Sequence, residues 1–314
     1  MRLWKRRSAP PQVDPAPRKP DRTDEIIERL ARVESLLEQV SYGQRILPAL
    51  ARRQFLDGVD LSPTAALRSH RFGLLSQNEE DGLILELFKR IGVTDRRFAE
   101  IGCGVNGGNS GFLLSECGWS GLMVDGRNAC VKKVALRYGR FDVTAVRQRV
   151  TREGINSLFE EQGLTGSIDL LSLDVDGVDF FLWEALHVAQ PRVVVIEYNY
   201  LFGPERSISV PYDPEFSLPD AATRAYRGAS LEAMVRLGRR KGYRLVATER
   251  INAFFLRDDV TCDLPTGEVA ELFQPPANAL NNDAIGRISQ ADLPLVVVDE
   301  RGCPGEPVPA ESVR

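Results

Sequence analysis

Two clusters in this chain have the residue types and spacing to do chemistry. The first is Glu100-Ile101-Gly102-Cys103-Gly104-Val105-Asn106-Gly107, followed by a short apolar run that ends in Asp125. An apolar strand that stops at an acid and turns through Gly102, Gly104 and Gly107 lets the backbone approach a ligand. The later Asp125 can then accept hydrogen bonds from ribose hydroxyls. The pattern implies a nucleoside-cofactor site. Taken alone, Gly102-x-Gly104-x-x-Gly107 also satisfies the dinucleotide fingerprint, so an NAD(P)-dependent oxidoreductase is the competing reading. Glu100 argues against it, because a pyrophosphate gains nothing from a neighbouring carboxylate. Cys103 has no histidine near it in sequence and reads as a small residue beside the cofactor, not a nucleophile.

The second cluster is Asp174-Val175-Asp176-Gly177-Val178-Asp179, with Glu197-Tyr198-Asn199 after the next apolar run, Val193 to Ile196. Three readings of it stand. Asp174 and Glu197, with Asp176 or Asn199, offer oxygen ligands for a divalent metal that positions and acidifies a substrate hydroxyl. Alternatively, the same carboxylates hydrogen-bond a polyol and one of them acts as general base. In the third reading Asp176, Gly177 and Asp179 form a turn and cap the next helix. We favour a functional role for Asp174 and Glu197. Asp174-Val175-Asp176-Gly177-Val178 also resembles the nucleophile motif of haloacid-dehalogenase phosphatases, but there the motif follows the first strand of the domain. Histidine offers little base chemistry, since His70 and His187 are the only two in the chain. The long segment from Tyr198 to Gly228 suits a substrate lid, with Tyr212, Asp213 and Arg206 as contacts to a hydroxylated or anionic acceptor.

The elements that must position these groups follow from hydrophobic patterning. Strands are expected at Phe98 to Ile101, Gly121 to Val124, Thr144 to Val150, Ile168 to Leu173 and Arg192 to Glu197, alternating with helical segments. That alternation implies a parallel, doubly wound sheet, whose ligands bind at the carboxyl ends of the strands. Tyr243 to Thr248 and Ala253 to Leu256 are joined by a short polar link and should close the sheet as an antiparallel hairpin. The expected fold is therefore α/β, a mostly parallel seven-stranded sheet preceded by an N-terminal helix. A capped amphipathic helix should lead into the glycine loop from Ser76-Gln77-Asn78-Glu79-Glu80-Asp81-Gly82.

Upstream, residues 1–22 are basic and proline-rich and read as a disordered arm. From Arg22 to about Leu56, and so over an expected helix at 23–58, Ile26, Leu30, Val33, Leu37 and Val40 form a seam of heptad type. That helix suits self-association into a homo-oligomer, or packing on the protein's own core. The catalytic domain is expected over 66–262 and an appendage over 263–314. With 314 residues the chain can bury a large core, and its net charge of −4 gives no reason to expect nucleic-acid binding. No secretory signal or membrane span is legible, and five scattered cysteines suit free thiols in the cytoplasm.

Five parallel strands closed by a hairpin, with Glu100-x-Gly102-x-Gly104 at the first turn, resemble the S-adenosylmethionine-dependent methyltransferases of the Rossmann-like class. Adding Ser76-Gln77-x-x-Glu80-Asp81-Gly82, Asp174-x-Asp176-Gly177 and Glu197, the chain resembles their FkbM-like family in blocks from Ser76 to Arg257. The resemblance implies S-adenosylmethionine as cofactor, its methionine end faced by Glu100, its ribose held by Asp125 and its adenine near Thr151 to Asn156. It implies O-methylation of a hydroxyl on a carbohydrate, a glycan or a related polyol metabolite, with Asp176, Asn199 and Tyr212 on the substrate side. In metal-dependent O-methyltransferases a similar pair of strand-end acids holds magnesium, which would place magnesium or another divalent cation on Asp174 and Glu197. Asp176 stands where many FkbM-like members carry glutamate, and the helical leader and the tail have no counterpart in the family core. A non-catalytic interaction protein that has kept this fold is the remaining alternative.

Overall fold

The computed structural model describes residues 26, 29, 47, 49–56, 59–217, 224–264, 268–276 and 283–313. The expected heptad seam lies outside these residues apart from Ile26, which is helical, as is Arg29. Both belong to one compact unit, Met1–Gly43, and the rest of the chain, Gln44–Arg314, forms another.

In this second unit the expected parallel strands form: β1 (Arg97–Ile101), β2 (Ser120–Asp125), β3 (Val143–Arg147), β4 (Gly166–Leu173) and β5 (Ala189–Glu197). A two-residue strand, β6 (Ile208–Ser209), lies apart from them. The hairpin of β7 (Tyr243–Glu249) and β8 (Asn252–Arg257) adds to the edge of β5 antiparallel, giving the order β3-β2-β1-β4-β5-β8-β7. The strands read as unbroken apolar runs because both faces of the sheet are covered. Phe98, Met123, Leu170 and Val193 point into one core, against helices Glu80–Ile91, Gly111–Glu116 and Asn128–Tyr138. The alternate residues Ala99, Leu122, Leu171 and Val194 point into the other, against helices Ile155–Glu161, Asp179–Ala185 and Leu231–Lys241. The sheet is doubly wound, as its sequence pattern requires.

Helix Glu80–Ile91 forms as expected, but its start differs from an ordinary cap. Glu79 is its N-cap and makes no side-chain cap bond. Instead Asp81, buried, reaches back so that one carboxylate oxygen accepts from the amides of Leu74, Leu75 and Ser76 at 2.6, 2.8 and 3.0 Å. The Ser76 hydroxyl accepts from the Asp81 amide. The lead-in is thus a hydrogen-bonded knot ahead of the helix rather than a cap on it.

Sequence patterning also left the long segment and the tail as separate pieces, and the structure joins them. β9 (Pro294–Val298) and β10 (Pro304–Pro309) form a second sheet with β6, in the order β10-β9-β6. A two-residue strand has no periodicity to detect, and its partner lies far downstream.

At the amino edge of the main sheet, opposite the ligand edge, Asp169 is fully buried. It accepts from the amides of Thr94, Asp95 and Arg96, from the Thr94 hydroxyl and from the Arg192 guanidinium, all through contacts of 2.8 to 3.0 Å. Removing one member of such a buried pair strands the other charge. Asp169→Ala should lower stability by about 3 to 5 kcal/mol in urea unfolding. A loss below about 1 kcal/mol, the value of an exposed pair, would show that the pair is not structural.

Candidate active site

Backbone contact between two strand ends builds the site. The amides of Gly102 and Cys103 donate to the Val124 carbonyl, tying the end of β1 to β2, and the Asp174 amide donates to the Ile101 carbonyl at 2.9 Å, tying β1 to β4. Gly102 has φ +94°, and a Cβ there would lie 1.7 Å from the Asp174 carbonyl oxygen. Only glycine permits that conformation and that approach together. Asp174 is thereby held against the glycine loop.

Glu100 lies behind the loop, 1% exposed. The Ser110 hydroxyl donates to one of its oxygens at 2.6 Å and the Ser172 hydroxyl to the other at 2.9 Å. The carboxylate therefore ties β1 to β4 and to the start of helix Gly111–Glu116, and it lines a cavity in front of the loop. Burial pushes its acid up to about 7, with the two hydroxyls opposing that rise. Gly108, which the motif reading passed over, makes room for it: a Cβ there would sit 2.0 Å from the Glu100 oxygen. Cys103 is buried, which drives its thiol far above the usual range and leaves it protonated. It is a packing residue.

Asp125 ends β2. One of its oxygens accepts from the Gly104 amide at 3.0 Å, so the glycine loop and Asp125 are in contact. Arg127, not singled out in the sequence, bonds both carboxylate oxygens through its guanidinium at 3.0 Å and donates its amide at 2.8 Å. Burial works against the charge on Asp125, but Arg127 and the Gly104 amide outweigh it and hold the carboxyl below its ordinary value. Beside Asp125 opens a cavity of about 360 Å³, walled by Val124, Gly126, Gln148, Val150 and Val178 and closed on one side by Pro214 and Phe216. Arg149 donates to the Phe216 carbonyl at 2.8 Å, and the Phe216 ring packs on Gly177, where a Cβ would meet it at 2.2 Å.

A second, more polar cavity of about 250 Å³ adjoins the first. Gly102, Arg127, Asp174 and Asp176 line both. The second also contains Glu197, Arg227 and Asn252. Asp174, Asp176 and Glu197 come together as expected from β4 and β5, each offering an oxygen within 4.8 Å of the others. Asp176 is held in the left-handed region at φ +62°. Asp179 brackets it by accepting from the amides of Val175 and Gly177 at 2.8 and 3.0 Å. The turn-forming role foreseen for this cluster thus falls to Asp179, which leaves Asp174 and Asp176 on the cavity.

Burial raises Asp174 well above its ordinary value, with Asp179, Asp176 and Glu100 adding to the rise. Glu197 is raised in the same way by burial and by Asp174, while Arg227 opposes the shift in both. Arg227 donates to Asp176 at 3.0 Å and lies 3.5 Å from Glu197. Its sequence position, far from any motif, gives no signal of this. Asn252 at the start of β8 donates to Glu80 at 2.9 Å, and its side-chain oxygen is buried with no hydrogen-bond partner among the described residues.

Asn199 and Tyr212 are not brought into this cluster. Asn199 caps the short helical turn Tyr200–Phe202, accepting from the Leu201 amide, and donates to the carbonyls of Ala225 and Arg227. Its carboxamide is spent on holding the backbone that carries Arg227. The Tyr212 hydroxyl donates to Glu153 at 2.6 Å and accepts from the Arg152 amide, with its ring against Phe181. Arg206 is turned to the carbonyls of Phe202 and Val313, and Asp213 to the Glu215 amide. His187 follows the end of helix Asp179–Ala185 and is exposed.

No family model matches the chain, and no curated protein sequence matches it. Solved structures do. The chain is similar to TnmH at 14% identity over 74% of this chain and 67% of that one, with a TM-score of 0.35. It is similar to the CurJ carbon methyltransferase at 12% identity over 77% and 72%, with a TM-score of 0.38. A third similar structure is an S-adenosylmethionine-dependent methyltransferase from Clostridium acetobutylicum, at 10% identity over 67% of this chain and 97% of that one, with a TM-score of 0.35. These are likenesses of fold. No helix among the described residues is long and apolar enough to cross a membrane.

The buried Glu100 acid has a consequence for stability. Between its ordinary value of 4.5 and about 7 the folded chain retains a proton that the unfolded chain gives up, so stability falls as pH rises through that window. Glu100→Gln should remove about 3 kcal/mol of this fall between pH 4.5 and 7, read as the difference between the two unfolding-against-pH curves. Superimposable slopes would show that Glu100 is ionised in the fold.

Proposed function

We propose that this chain is an S-adenosylmethionine-dependent O-methyltransferase of FkbM-like type, acting on a hydroxyl of a carbohydrate, a glycan or a related polyol metabolite. The observation that carries this reading is the meeting of the two cavities at Gly102 and Asp174. One holds a ribose-type acid, Asp125, beside apolar side chains; the other holds four carboxylates and two guanidinium groups. A cofactor with a nucleoside at one end and an amino acid at the other fits such a pair, and an acceptor hydroxyl fits beside the acids.

When bound, the cofactor supplies an electrophilic methyl group on a sulfonium. The chain's residues supply the remainder. Asp125 accepts from the ribose hydroxyls, which requires the exposed Arg127 side chain to share or release its carboxylate oxygens. The glycine loop and Glu100 border the amino-acid end. Asp174, at the junction, accepts a hydrogen bond from the acceptor hydroxyl and takes its proton as the oxygen is alkylated, with Glu197 beside it as the second carboxylate. Alignment of that oxygen with the methyl group carries much of the rate, since alkylation at a sulfonium needs position more than strong base. The carboxylate-rich cavity suits hydroxyl groups, which donate well to carboxylates. A divalent cation on Asp174 and Glu197 is the second reading, favoured by the mutual approach of the three carboxylates.

Two variants separate cofactor binding from chemistry. Asp125→Ala should weaken S-adenosylhomocysteine binding on the order of tenfold in calorimetry. Asp174→Asn should leave that binding within about twofold while cutting methyl transfer to a hydroxylated acceptor by about a hundredfold or more. A thermal shift with NAD in place of S-adenosylhomocysteine would sink the methyltransferase reading, and unchanged turnover in Asp174→Asn would remove Asp174 from catalysis.

A further inference from the structure

Asp174, Asp176 and Glu197, three of the carboxylates of the second cavity, have the composition of a hard-cation site, yet a cation already stands against them. The Arg227 guanidinium spans two of the three, one terminal nitrogen 3.0 Å from Asp176 and the other 3.5 Å from Glu197. A divalent ion on these oxygens would need carboxylate distances of about 2.1 to 2.5 Å. Oxygens that lie within 4.8 Å of one another bound a space of about that size. A guanidinium and a dication cannot share it, because one guanidinium nitrogen already takes a lone pair of Asp176, the other stands beside Glu197, and the two charges repel.

Arg227 is not there by the chance of a long side chain. Its carbonyl accepts from Asn199 at 2.8 Å, just past β5, and the next amide, that of Gly228, donates to the Gly177 carbonyl at 3.0 Å in the turn after β4. The backbone that delivers the guanidinium is therefore pinned to the same two strand ends that deliver Glu197 and Asp176. Arginine suits the role because its charge persists at all accessible pH and its planar fork meets two carboxylates at once. Arg127 lines the same cavity and adds a second positive charge.

We propose that Arg227 is the resident cation of this cluster, occupying the place of a divalent metal, so that the site works without one. Arg227 is in this sense a positioning residue: it holds Asp176 and Glu197 and leaves Asp174 toward the reacting hydroxyl. The role in catalysis rests on the methyltransferase reading; the exclusion of the metal does not.

Manganese binding to the full chain, followed by electron paramagnetic resonance, tests this directly. The wild type should take up no manganese at this site at millimolar concentration, and chelator should leave its S-adenosylhomocysteine affinity and methyl transfer unchanged. Arg227→Ala should bind manganese on the order of tenfold tighter or more than the wild type. Arg227→Lys should restore exclusion, and adding Asp176→Asn to Arg227→Ala should abolish the gain. Where Arg227→Ala fails to fold, Arg227→Gln keeps most of the stem and gives the same reading. Wild-type manganese binding as tight as that of Arg227→Ala, loss of activity with chelator, or no gain in Arg227→Ala would each overturn the proposal. Manganese results as expected in a chain that binds no S-adenosylhomocysteine would uphold the resident cation and defeat only the methyltransferase reading.

Discussion

The site depends on the contact of two backbones at Gly102. Because that residue has no side chain, the ends of β1 and β4 approach until the Asp174 carbonyl lies where a Cβ would be, and the Asp174 amide bonds across to Ile101. Everything catalytic in our reading hangs from this approach. It sets Asp174 at the boundary of the two cavities, fixes the turn that carries Asp176, and leaves the glycine loop near enough to β2 for Gly104 to meet Asp125. A parallel sheet brings strand ends to one edge, but it does not by itself bring them into contact. The glycine does that.

A second constraint is electrostatic. Four carboxylates, Glu100, Asp174, Asp176 and Glu197, border one small cavity, and three of them have shifts driven upward by burial. Such a concentration of like charge is unfavourable unless protons or cations offset it. Here the offset is mixed. Serine hydroxyls serve Glu100, and Arg227 pairs with Asp176 and Glu197 and also opposes the rise in Asp174, which stays raised well above its ordinary value. Groups with similar chemistry are thus separated by their neighbours into a structural acid, a paired set and a reactive one, as happens where one fold must run both acid and base chemistry.

Much of this was legible in the residues. The five parallel strands and the hairpin fall where apolar runs and their polar links place them, and the strand-end acids meet at one edge as parallel topology demands. Glu100, Asp125, Asp174 and Glu197 were visible because a motif or a strand end marks each. Arg227 and Arg127 were not, since a charged residue in a loop has no periodicity and its partner is set by tertiary approach. Asn199 was visible for the wrong reason: beside Glu197 at the end of β5 it reads as a site residue, yet a strand end is also where a side chain must cap the next turn. Tyr212 and Arg206 show the same ambiguity, polar groups in a long segment whose hydrogen bonds reach distant parts of the chain, Glu153 and the Val313 carbonyl, and not the carboxylate cluster. The lead-in at Ser76 had the right residues, but Asp81 reaches the backbone from inside the helix, a geometry that residue spacing does not distinguish from an ordinary cap.

The small second sheet bears on how the molecule is made. β6 belongs to the segment that goes on to contribute Pro214 and Phe216 to the wall of the first cavity, and its ladder partner β9 lies far downstream in sequence. Pairings so distant in sequence form slowly, so β6 gains β9 after the shorter-range contacts that hold Ile208 and Val210 to Ser230 and Gly228. The segment that walls the first cavity is thereby tied to two places in the sequence, one beside Arg227 and one far downstream.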